Sequence, residues 1–430
     1  MKVVIMAGGK GTRIASIAND IPKPMIKIGG KPILEHEIEC LRNQGFKDLI
    51  ITVSHLGDII MNYFGDGSKI SPVTKKPFGV HIEYYFEKKP LGNAGALIKL
   101  KDKLTEDFLL LNADALFDVD FNRFVNFHKK NKALVTLFAH ANDHPYDSGL
   151  LVVDSRNYVL QWLTKEDQRP KYYKNIVNAG LHIISPKILN VTFDSEKVDL
   201  DRQILKPLAG TGKMICYNSP EYTKDMGTPE RYYDACSDYE LDKIHNRNLQ
   251  NKQKAIFLDR DGTINKYIGY LKTPEEFELI KGSAEAIKKI NKSGYLAIVI
   301  TNQPIIARGE VTVSELQIIH NKMETMLGNE GAYVDAIYYC PHHPDSGFEG
   351  EIPELKIKCD CRKPKPGLIL QAAKDYNIDL SASWMIGDSK SDIEAGRNAG
   401  CKTALIGNAD YKQNIHAESL LECINMIIND

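Results

Sequence analysis

Residues 254–263 read KAIFLDRDGT, and this stretch decides the fold of the second half of the chain. The apolar run Ala255–Leu258 is short and uninterrupted, which is typical of a strand buried on both faces of a parallel sheet. Asp259 and Asp261 follow it directly. If the strand continued, two residues at this spacing would face the same side. One carboxylate could then attack phosphorus while the other transferred a proton, although such a pair also occurs in solvated turns and simple cation sites.

The composition is that of an ordinary soluble protein, and the length suits two domains. The chain has 430 residues, a formal net charge of -1 and 26% charged residues. This length allows two hydrophobic cores, and the balanced charge argues against non-specific binding to nucleic acid or membrane. The sequence has no apolar run of about 18 residues and no signal peptide at its start. We therefore expect a cytoplasmic protein, and a homo-oligomer is compatible with the sequence.

Short apolar runs alternate with helical patterns in both halves of the chain, which predicts two doubly wound parallel-sheet α/β domains. The polar stretch 241–253 has no apolar periodicity beyond its start and is interpreted as a helix tail and linker. The predicted domains are therefore 1–240 and 254–430. The predicted strands and helices are Val3–Met6, Ile33–Asn43, Leu49–Val53, Ile82–Tyr85, Phe108–Leu111, Ala297–Thr301, Val313–Leu327 and Trp384–Ile386.

A glycine loop, AGGKGTR at residues 7–13, follows the first predicted strand. Glycines there let backbone N–H groups come close to phosphate oxygens at a helix N-terminus. The loop is neither a Walker A motif nor a dinucleotide fingerprint, since Ile14 occupies the position of the third glycine. A tight turn without a ligand is the alternative. Arg13 and Lys23 favour a triphosphate ligand, because two cations can neutralise a leaving pyrophosphate.

Two carboxylates complete the first predicted site. Asp114 follows the apolar run Phe108–Leu111, at the strand end where open α/β sheets bind ligands, and Asp225 precedes a glycine and a proline-led helix. Each could instead be a helix N-cap. Together they could hold one Mg²⁺ that bridges phosphates.

Four motifs of the first half, taken together, resemble those of the sugar-1-phosphate nucleotidyltransferases. They are G-G-x-G-T-R, P-K-P, P-L-G-x-A-G-A at Pro90–Ala96, and D-M-G-T-P-E-R-Y. The likeness covers roughly residues 1–240 and is strongest to guanylyltransferases acting on mannose or heptose 1-phosphate. It implies a Rossmann-like fold, GTP and sugar phosphates as substrates, and Arg13 and Lys23 as catalytic residues. It implies nucleotide contacts at Gly8, Gly9, Gly11, Arg13, Gly92 and Asp114, Mg²⁺ at Asp114 and Asp225, and sugar-phosphate contacts at Lys165, Asn178 and Gly180.

This half departs from the family at two positions. Thr164-Lys165-Glu166 stands where the family usually has Glu-Lys-Pro, and Asn93 replaces a common threonine. Glu87, five residues before Gly92, suggests the base, because a carboxylate accepts both hydrogens of guanine N1–H and N2–H₂ but faces the oxygens of uracil or thymine poorly.

The second half carries further groups in an order typical of phosphoryl chemistry. Thr301 ends a predicted strand, Arg362 and Lys363 follow in CRKPKPG, and Asp388 ends another strand in SWMIGDSKSD. With D-R-D-G-T, T-N-Q, K-P and G-D-S-x-x-D in this order, residues 255–408 resemble the haloacid dehalogenase (HAD) phosphatases. The resemblance implies the nucleophile Asp259, the general acid/base Asp261, phosphoryl stabilisation by Thr301 and Lys363, substrate contacts at Asn302, Gln303 and Arg362, and Mg²⁺ at Asp259, Asp261 and Asp388.

A cysteine and histidine cluster lies between these motifs. CPHHPD and CDCRKPKPG give C-x-H and C-x-C spacings that suit a structural tetrahedral Zn²⁺. The predicted ligands are Cys340, His342, Cys359 and Cys361, and His343 is an alternative to His342. The other interpretation is a set of thiols that bind no metal. This loop resembles those of heptose bisphosphate and histidinol phosphatases.

The substrate-facing shell departs from the pattern of the heptose enzymes. Pro304 and Ile305 replace Ser-Gly, Tyr267 and Ile268 replace Asp-His, and Ser389 replaces a lysine.

Together the halves predict an enzyme that dephosphorylates D-glycero-D-manno-heptose 1,7-bisphosphate and then makes GDP-heptose from heptose 1-phosphate and GTP. One alternative is a mannose-1-phosphate guanylyltransferase fused to a histidinol-phosphatase-like domain. Another is a fusion to a non-catalytic HAD module.

Overall fold

The structure is a computed structural model of the 430-residue chain, and it describes residues 1–9, 17, 20–89, 91–191, 193–347 and 349–429. The chain forms two compact units. The first comprises residues 1–140, 149–163 and 178–248, and the second comprises residues 141–148, 164–177 and 249–430. The predicted site residues Gly11 and Arg13 lie outside the described residues, as does Pro90 of the third motif.

The first unit is built on a mixed sheet. The strands of this unit are β1 (Val3–Met6), β2 (Lys27–Ile28), β3 (Lys31–Pro32), β4 (Asp48–Val53), β5 (His81–Phe86), β6 (Phe108–Asn112), β7 (Ala115–Asp118), β8 (Val135–His140), β9 (Leu150–Val153), β10 (Val159–Leu163), β11 (Val177–Ile184), β12 (Met214–Asn218) and β13 (Tyr222–Asp225). Two pairs, β2 with β3 and β7 with β13, form separate two-stranded sheets. The main path of the sheet is β10-β9-β11-β6-β1-β4-β5, and β8 joins β11 to β12. Strands β1, β4, β5 and β6 are parallel, which confirms the predicted core, whereas β11 runs antiparallel to β6.

Helices cover this sheet. They are α1 (Ile33–Asn43), α2 (Gly57–Phe64), α3 (Gly92–Lys99), α4 (Phe121–Asn131), α5 (Pro229–Glu240) and α6 (Lys243–Asn246). The apolar face of α1 packs in one core cluster with side chains of β1 and β4. Isoleucine and leucine recur at helical spacing in α1, and apolar residues fill the two short strands. The carboxyl ends of β1 and β6 lie side by side, since Met6 pairs with Asn112.

The second unit has a fully parallel sheet among its described residues. Its strands are β14 (Lys254–Leu258), β15 (Tyr295–Asn302), β16 (Ala336–Cys340), β17 (Trp384–Gly387), β18 (Lys402–Ile406) and β19 (Ile415–Ala417), in the order β16-β15-β14-β17-β18-β19. Its helices are α7 (Ser283–Lys292), α8 (Val313–Asn329), α9 (Gly367–Asp375), α10 (Lys390–Ala399) and α11 (Leu420–Asn429). Core clusters on both faces of β14 confirm the doubly wound prediction.

Two segments of the first half of the sequence, residues 141–148 and 164–177, belong to the second unit. The Tyr173 backbone N–H donates to the Thr325 hydroxyl at 2.9 Å, and the Asn175 N–H donates to Glu324 Oε1 at 3.3 Å. Both acceptors are on α8. The Arg169 guanidinium donates to the Pro145 carbonyl at 2.7 Å, so the two segments also hold each other.

No helix in the described part of the chain is long and apolar enough to cross a lipid bilayer.

Candidate active sites

The first site gathers around Lys23, which is 8% exposed and follows Pro22 in a short 3₁₀ turn. Its ammonium donates to Asp114 Oδ2 at 2.8 Å and to Asp225 Oδ1 at 3.4 Å. Asp114 follows β6 and Asp225 ends β13, and the Met226 N–H donates to the Asp114 carbonyl, which ties the two ends together. The sequence prediction placed these three residues in one site, and the structure brings them together.

Asp225 has a second cationic partner, Arg231, which lies one turn into α5. About two-fifths of each of the Asp114 and Asp225 side chains is exposed, so both carboxylates can reach a ligand. Two carboxylates held by flanking cations form an oxygen donor set that fits Mg²⁺. Sequence reasoning missed Arg231, although it belongs to the D-M-G-T-P-E-R-Y motif.

Glu87 lies against Gly8, near the start of the glycine loop. A Cβ added to Gly8 would come within 2.7 Å of Glu87 Oε1, so only glycine lets the carboxylate pack there. Glu87 Oε2 accepts the Leu91 N–H at 3.3 Å, just before α3. Gly92 has a φ of +73°, and a side chain there would meet the Val198 carbonyl. The pKa of Glu87 is raised, because the effect of burial exceeds the opposing effect of the hydrogen bond from the Leu91 N–H.

Two of the three predicted sugar contacts lie together on β11. Asn178 Oδ1 is 3.2 Å from His182 Nε2, and Gly180, with a φ of +76°, would bring a Cβ within 2.7 Å of Asn112 Nδ2 at the end of β6. Asn93 is used structurally, because its Oδ1 accepts the Leu200 N–H at 2.7 Å. The third predicted contact, Lys165, lies in segment 164–177 of the second unit, where it is exposed.

The second site gathers around Lys363, which is buried. Its ammonium donates to Asp259 Oδ1 at 2.7 Å and to the Ile300 carbonyl at 2.8 Å, and it lies 2.6 Å from Asp392 Oδ1. Burial acts to lower the pKa of Lys363, but Asp259 and Asp392 outweigh it and raise that pKa. Lys363 therefore stays charged. Burial raises the pKa of Asp259 to about 7, against the lowering effect of Lys363.

Three carboxylates in this site form a group able to hold a cation: Asp259, Asp388 and Asp392 have oxygens within 4.8 Å of one another. Gly262, with a φ of +86°, lies so close to Asp388 that any side chain would collide with its carboxylate. Asp392 is the first α10 carboxylate and also caps that helix at Ser389. The sequence prediction gave Asp261 as the third Mg²⁺ ligand and did not name Asp392, although Asp392 is the last residue of the motif G-D-S-x-x-D.

The Asp261 carboxylate is held by three side chains on the other side of the loop. Arg260 donates to it from Nε and Nη2, at 2.8–3.1 Å. Asn265 Nδ2 donates at 2.9 Å and Gln303 Nε2 at 2.8 Å. Burial opposes ionisation of Asp261, but the Arg260 charge and these donors lower its pKa. Sequence reasoning gave no role to Arg260, although it is the middle residue of D-R-D.

Of the remaining predicted phosphatase residues, Thr301, Asn302 and Gln303 make contacts within this site, whereas Arg362 contacts His342. Gln303 Nε2 also donates to the Thr301 hydroxyl at 2.9 Å. The Asn302 amide pairs with the Lys363 backbone in both directions, at 3.0 and 3.1 Å. Arg362 Nη1 lies 3.4 Å from the His342 carbonyl. Asn302 and Gln303 thus serve to hold Lys363 and Asp261.

The cysteine cluster is compact. Cys340 and Cys361 Sγ are 3.1 Å apart, Cys359 Sγ is 3.3–3.5 Å from both, and His342 Nδ1 is 3.2 Å from Cys361 Sγ. In a tetrahedral site with Zn–S distances of about 2.3 Å, the ligand sulfur atoms lie roughly 3.8 Å apart. A small expansion of this cluster would therefore accommodate the ion. His343 points instead to Asp345.

Comparisons with known proteins agree with the two families that the sequence resembles. Residues 2–241 match the nucleotidyl transferase family, and residues 360–422 match a HAD-hydrolase-like family. The chain is 41% identical over 175 residues to the D-glycero-β-D-manno-heptose-1,7-bisphosphate 7-phosphatase of Photorhabdus laumondii, covering 41% of this chain and 89% of that protein.

Solved structures also match each half of the chain. HddC from Yersinia pseudotuberculosis is 29% identical and covers 55% of this chain and 99% of its own, with a TM-score of 0.46. The D,D-heptose 1,7-bisphosphate phosphatase from B. bronchiseptica, in complex with magnesium and phosphate, is 32% identical and covers 41% of this chain and 99% of its own, with a TM-score of 0.36. The chain is a bifunctional enzyme that belongs to the nucleotidyl transferase family and, through its second half, to the family of the heptose-1,7-bisphosphate 7-phosphatases.

Proposed function

We propose that this enzyme performs two consecutive steps of nucleotide-sugar synthesis. The second half removes the 7-phosphate of D-glycero-D-manno-heptose 1,7-bisphosphate, and the first half joins heptose 1-phosphate to GMP from GTP, giving GDP-heptose and pyrophosphate. One observation carries the proposal: the product of the phosphatase family found in the second half is a sugar 1-phosphate, the class of substrate that the nucleotidyltransferase motifs of the first half accept. Both reactions would take place in the cytoplasm.

In the first site the reaction is a displacement at phosphorus. A phosphate oxygen of heptose 1-phosphate attacks the α-phosphorus of GTP, and the bond to pyrophosphate breaks. The glycine loop with Arg13 would hold the triphosphate, and Lys23 would neutralise charge as pyrophosphate leaves. Asp114 and Asp225 would hold Mg²⁺, which supplies further charge neutralisation at the phosphates. Asn178 and Gly180 would orient the sugar, and Lys165 is proposed to contact its phosphate.

Guanine selectivity is assigned to Glu87. Its Oε1 faces Gly8. Among the described residues, its one hydrogen bond is the bond that Oε2 accepts from the Leu91 N–H. The carboxylate therefore retains acceptor capacity for the two donors on the Watson–Crick edge of guanine. Uracil and thymine present an oxygen there, which a carboxylate repels.

In the second site the reaction has two balanced stages. Asp259 attacks the 7-phosphorus, the bond to the sugar oxygen breaks, and Asp261, which is protonated in the form of the enzyme that reacts, gives that oxygen its proton. A water molecule then loses a proton to Asp261 and attacks the aspartyl phosphate, which releases phosphate and regenerates Asp259. Lys363 and Thr301 would stabilise the phosphoryl oxygens, and Arg362 would recognise the substrate. Asp259 and Asp388 would hold Mg²⁺, which supplies charge neutralisation.

Zinc is proposed as a structural ion held by Cys340, His342, Cys359 and Cys361. Four soft or imidazole donors within 3.7 Å of a neighbour support this assignment. Arg362 and Lys363 directly follow the last ligand, so the ion would fix both of these active-site cations.

The test uses the purified protein, Mg²⁺ and both anomers of heptose 1,7-bisphosphate, with GTP added second. Phosphate release followed by GDP-heptose is expected, and Asp259→Asn should abolish the first step alone. If heptose 1-phosphate reacts with GTP but neither bisphosphate releases phosphate, the substrate assigned to the second half is wrong. The Pro304–Ile305 departure would then be the place to look.

A further inference from the structure

A fully buried histidine contacts Asn178, one of the residues assigned to the sugar. His182 lies four residues after Asn178 on β11 and is 1% exposed. Its Nε2 atom is 3.2 Å from Asn178 Oδ1, which is within hydrogen-bonding distance. Gly180, the second residue assigned to the sugar on this strand, lies between the two in sequence. The contact therefore joins the inside of the sheet to the proposed sugar site.

The direction of this hydrogen bond follows from the other groups present. The Gly180 backbone N–H donates to the same Asn178 atom, in a long bond of 3.5 Å. A backbone N–H can only donate, so this atom is the carbonyl oxygen of the amide and not its NH₂ group. Burial lowers the pKa of His182 to about 4, so the imidazole is neutral and carries one proton. That proton is on Nε2, which donates to Asn178, and Nδ1 has none.

The histidine is an expensive residue at this position. Its Nδ1 atom is buried and has no hydrogen-bond partner among the described residues. Its neighbours on the strand, Leu181 and Ile183, are fully buried and apolar. An apolar side chain at position 182 would avoid the cost of burying an unsatisfied nitrogen. Within the part of the chain that the structure describes, the bond to Asn178 is the one interaction here that requires a polar side chain.

This bond gives the Asn178 amide one orientation. With its oxygen held by His182 and Gly180, the NH₂ group occupies the other branch of the amide. Asn178 is partly exposed, and across the described ranges its NH₂ group makes no hydrogen bond. Two N–H donors are therefore available to a ligand, and a hydroxyl oxygen of a sugar can accept from them.

We propose that His182 is a positioning residue for nucleotidyl transfer, which fixes the Asn178 amide so that its NH₂ group donates to a hydroxyl oxygen of the sugar phosphate. The inference rests on the sugar contact assigned to Asn178 in the proposed function, and it adds a direction to that contact. Without the histidine the amide can turn over, and its carbonyl oxygen would then meet the sugar oxygen in part of the molecules. Sugar binding weakens as a result, whereas nucleotide binding does not.

The test separates binding of the sugar phosphate from binding of the nucleotide. Pyrophosphate release by the full-length enzyme is measured with Mg²⁺, while heptose 1-phosphate and GTP are varied in turn. We expect His182→Leu to raise the KM for heptose 1-phosphate about fivefold, the effect of one hydrogen bond, and to leave the KM for GTP unchanged. A preparation that is only partly folded loses kcat and keeps both KM values, so a purely structural defect gives a different result.

His182→Gln is the matched variant, because its side-chain nitrogen can take the place of Nε2 and still donate. It should restore most of the affinity for heptose 1-phosphate. Ile184→Leu, a volume-conserving change on the same strand, should alter neither KM value. An equal rise of the sugar KM in His182→Leu and His182→Gln, or a rise in neither, would overturn the proposal.

Two further measurements test the direction of the contact. Asn178→Asp keeps the shape of the side chain and the acceptor for His182 but removes both donors, so it should raise the sugar KM more than His182→Leu does. An unchanged sugar KM in this variant contradicts the proposal. Nitrogen NMR of the full chain with isotope-labelled histidine should show His182, identified by the signal lost in His182→Gln, protonated on Nε2 and unprotonated on Nδ1. The opposite tautomer would also overturn the proposal.

Asn178→Ala separates the ways of failing. If it raises the sugar KM while His182→Leu does not, the positioning role is wrong and the sugar contact of Asn178 stands. If it changes neither KM value, that contact is wrong and the inference about His182 fails with it. If the parent enzyme accepts mannose 1-phosphate but not heptose 1-phosphate, the proposed function is wrong about the sugar. The same variants then test His182 with mannose 1-phosphate.

Discussion

At the scale of single residues, both sites place a buried lysine between two carboxylates. Lys23 contacts Asp114 and Asp225, and Lys363 contacts Asp259 and Asp392. Each ammonium offsets the repulsion between its two carboxylates, and it gives the site a cation that can contact phosphate oxygens. The two reactions at phosphorus therefore begin from the same local charge pattern, although the residues come from different motifs.

Base selectivity depends on one side chain. Replacing Glu87 with Gln turns an acceptor into an amide donor facing guanine, so we expect kcat/KM for GTP to fall by about 10–100-fold while that for UTP falls less. The measurement is pyrophosphate release with each nucleotide. Glu83→Gln is the matched control, because Glu83 lies on β5 and pairs with Lys103. Unchanged selectivity in Glu87→Gln would rule out the assignment.

A buried carboxyl group on α1 should cost stability at neutral pH. Both oxygens of Glu37 lack a hydrogen-bond partner among the described residues, and burial, then the Asp114 charge, raises its pKa. Above about pH 4.5 the unfolded chain releases this proton while the folded chain retains it, so stability falls as the pH rises towards the folded pKa. Glu37→Met should therefore stabilise the protein by roughly 1–3 kcal/mol at pH 8, and by less at pH 5.

Urea unfolding at the two pH values measures this difference. Glu39→Met on the same helix is the control and should gain nothing, because the Glu39 carboxylate pairs with Lys31. A Glu37→Met protein less stable than the parent at pH 8 would contradict the prediction.

At the scale of elements, the cysteine cluster connects β16 to the residues before α9. Cys340 ends β16, while Cys359 and Cys361 precede Arg362 and Lys363. Cys361→Ser should therefore remove bound zinc and most of the phosphatase activity but leave the nucleotidyl transfer intact. Metal content and both activities are measured together. Cys401→Ser, a buried thiol outside the cluster, should keep its zinc, and loss of zinc there too would contradict the assigned ligands.

The elements themselves were largely predictable from the sequence, and the reason is local. Buried apolar runs fixed strands such as β1, β6 and β14, and helical spacing fixed α1 and α8. The order of neighbouring strands and the antiparallel β11 were not predictable, because they depend on contacts distant in sequence. The same holds within the sites: Asp259 and Lys363 carry motif signals, whereas His182 shows only as one polar residue in a buried strand.

At the scale of the whole molecule, the two units are interleaved in sequence. Segments 141–148 and 164–177 contact α8, so a fragment of residues 249–430 would expose Thr325, Glu324 and Gly328. We expect this fragment to unfold several degrees below the phosphatase unit in the full chain and to release phosphate more slowly. Thermal unfolding and phosphatase assays measure both effects. The full chain carrying Asp114→Asn is the control, and equal melting of fragment and full chain would contradict the prediction.

The interleaving also sets an order of events during synthesis. Residues 141–148 and 164–177 leave the ribosome about 150 residues before α8, the helix that they contact. The first sheet can pair its strands as soon as residue 218 has emerged, but these two segments lack the helix that they contact until residue 329 has been made. A newly made nucleotidyltransferase half thus carries two unfinished loops, and only the arrival of the phosphatase half gives them a folded surface.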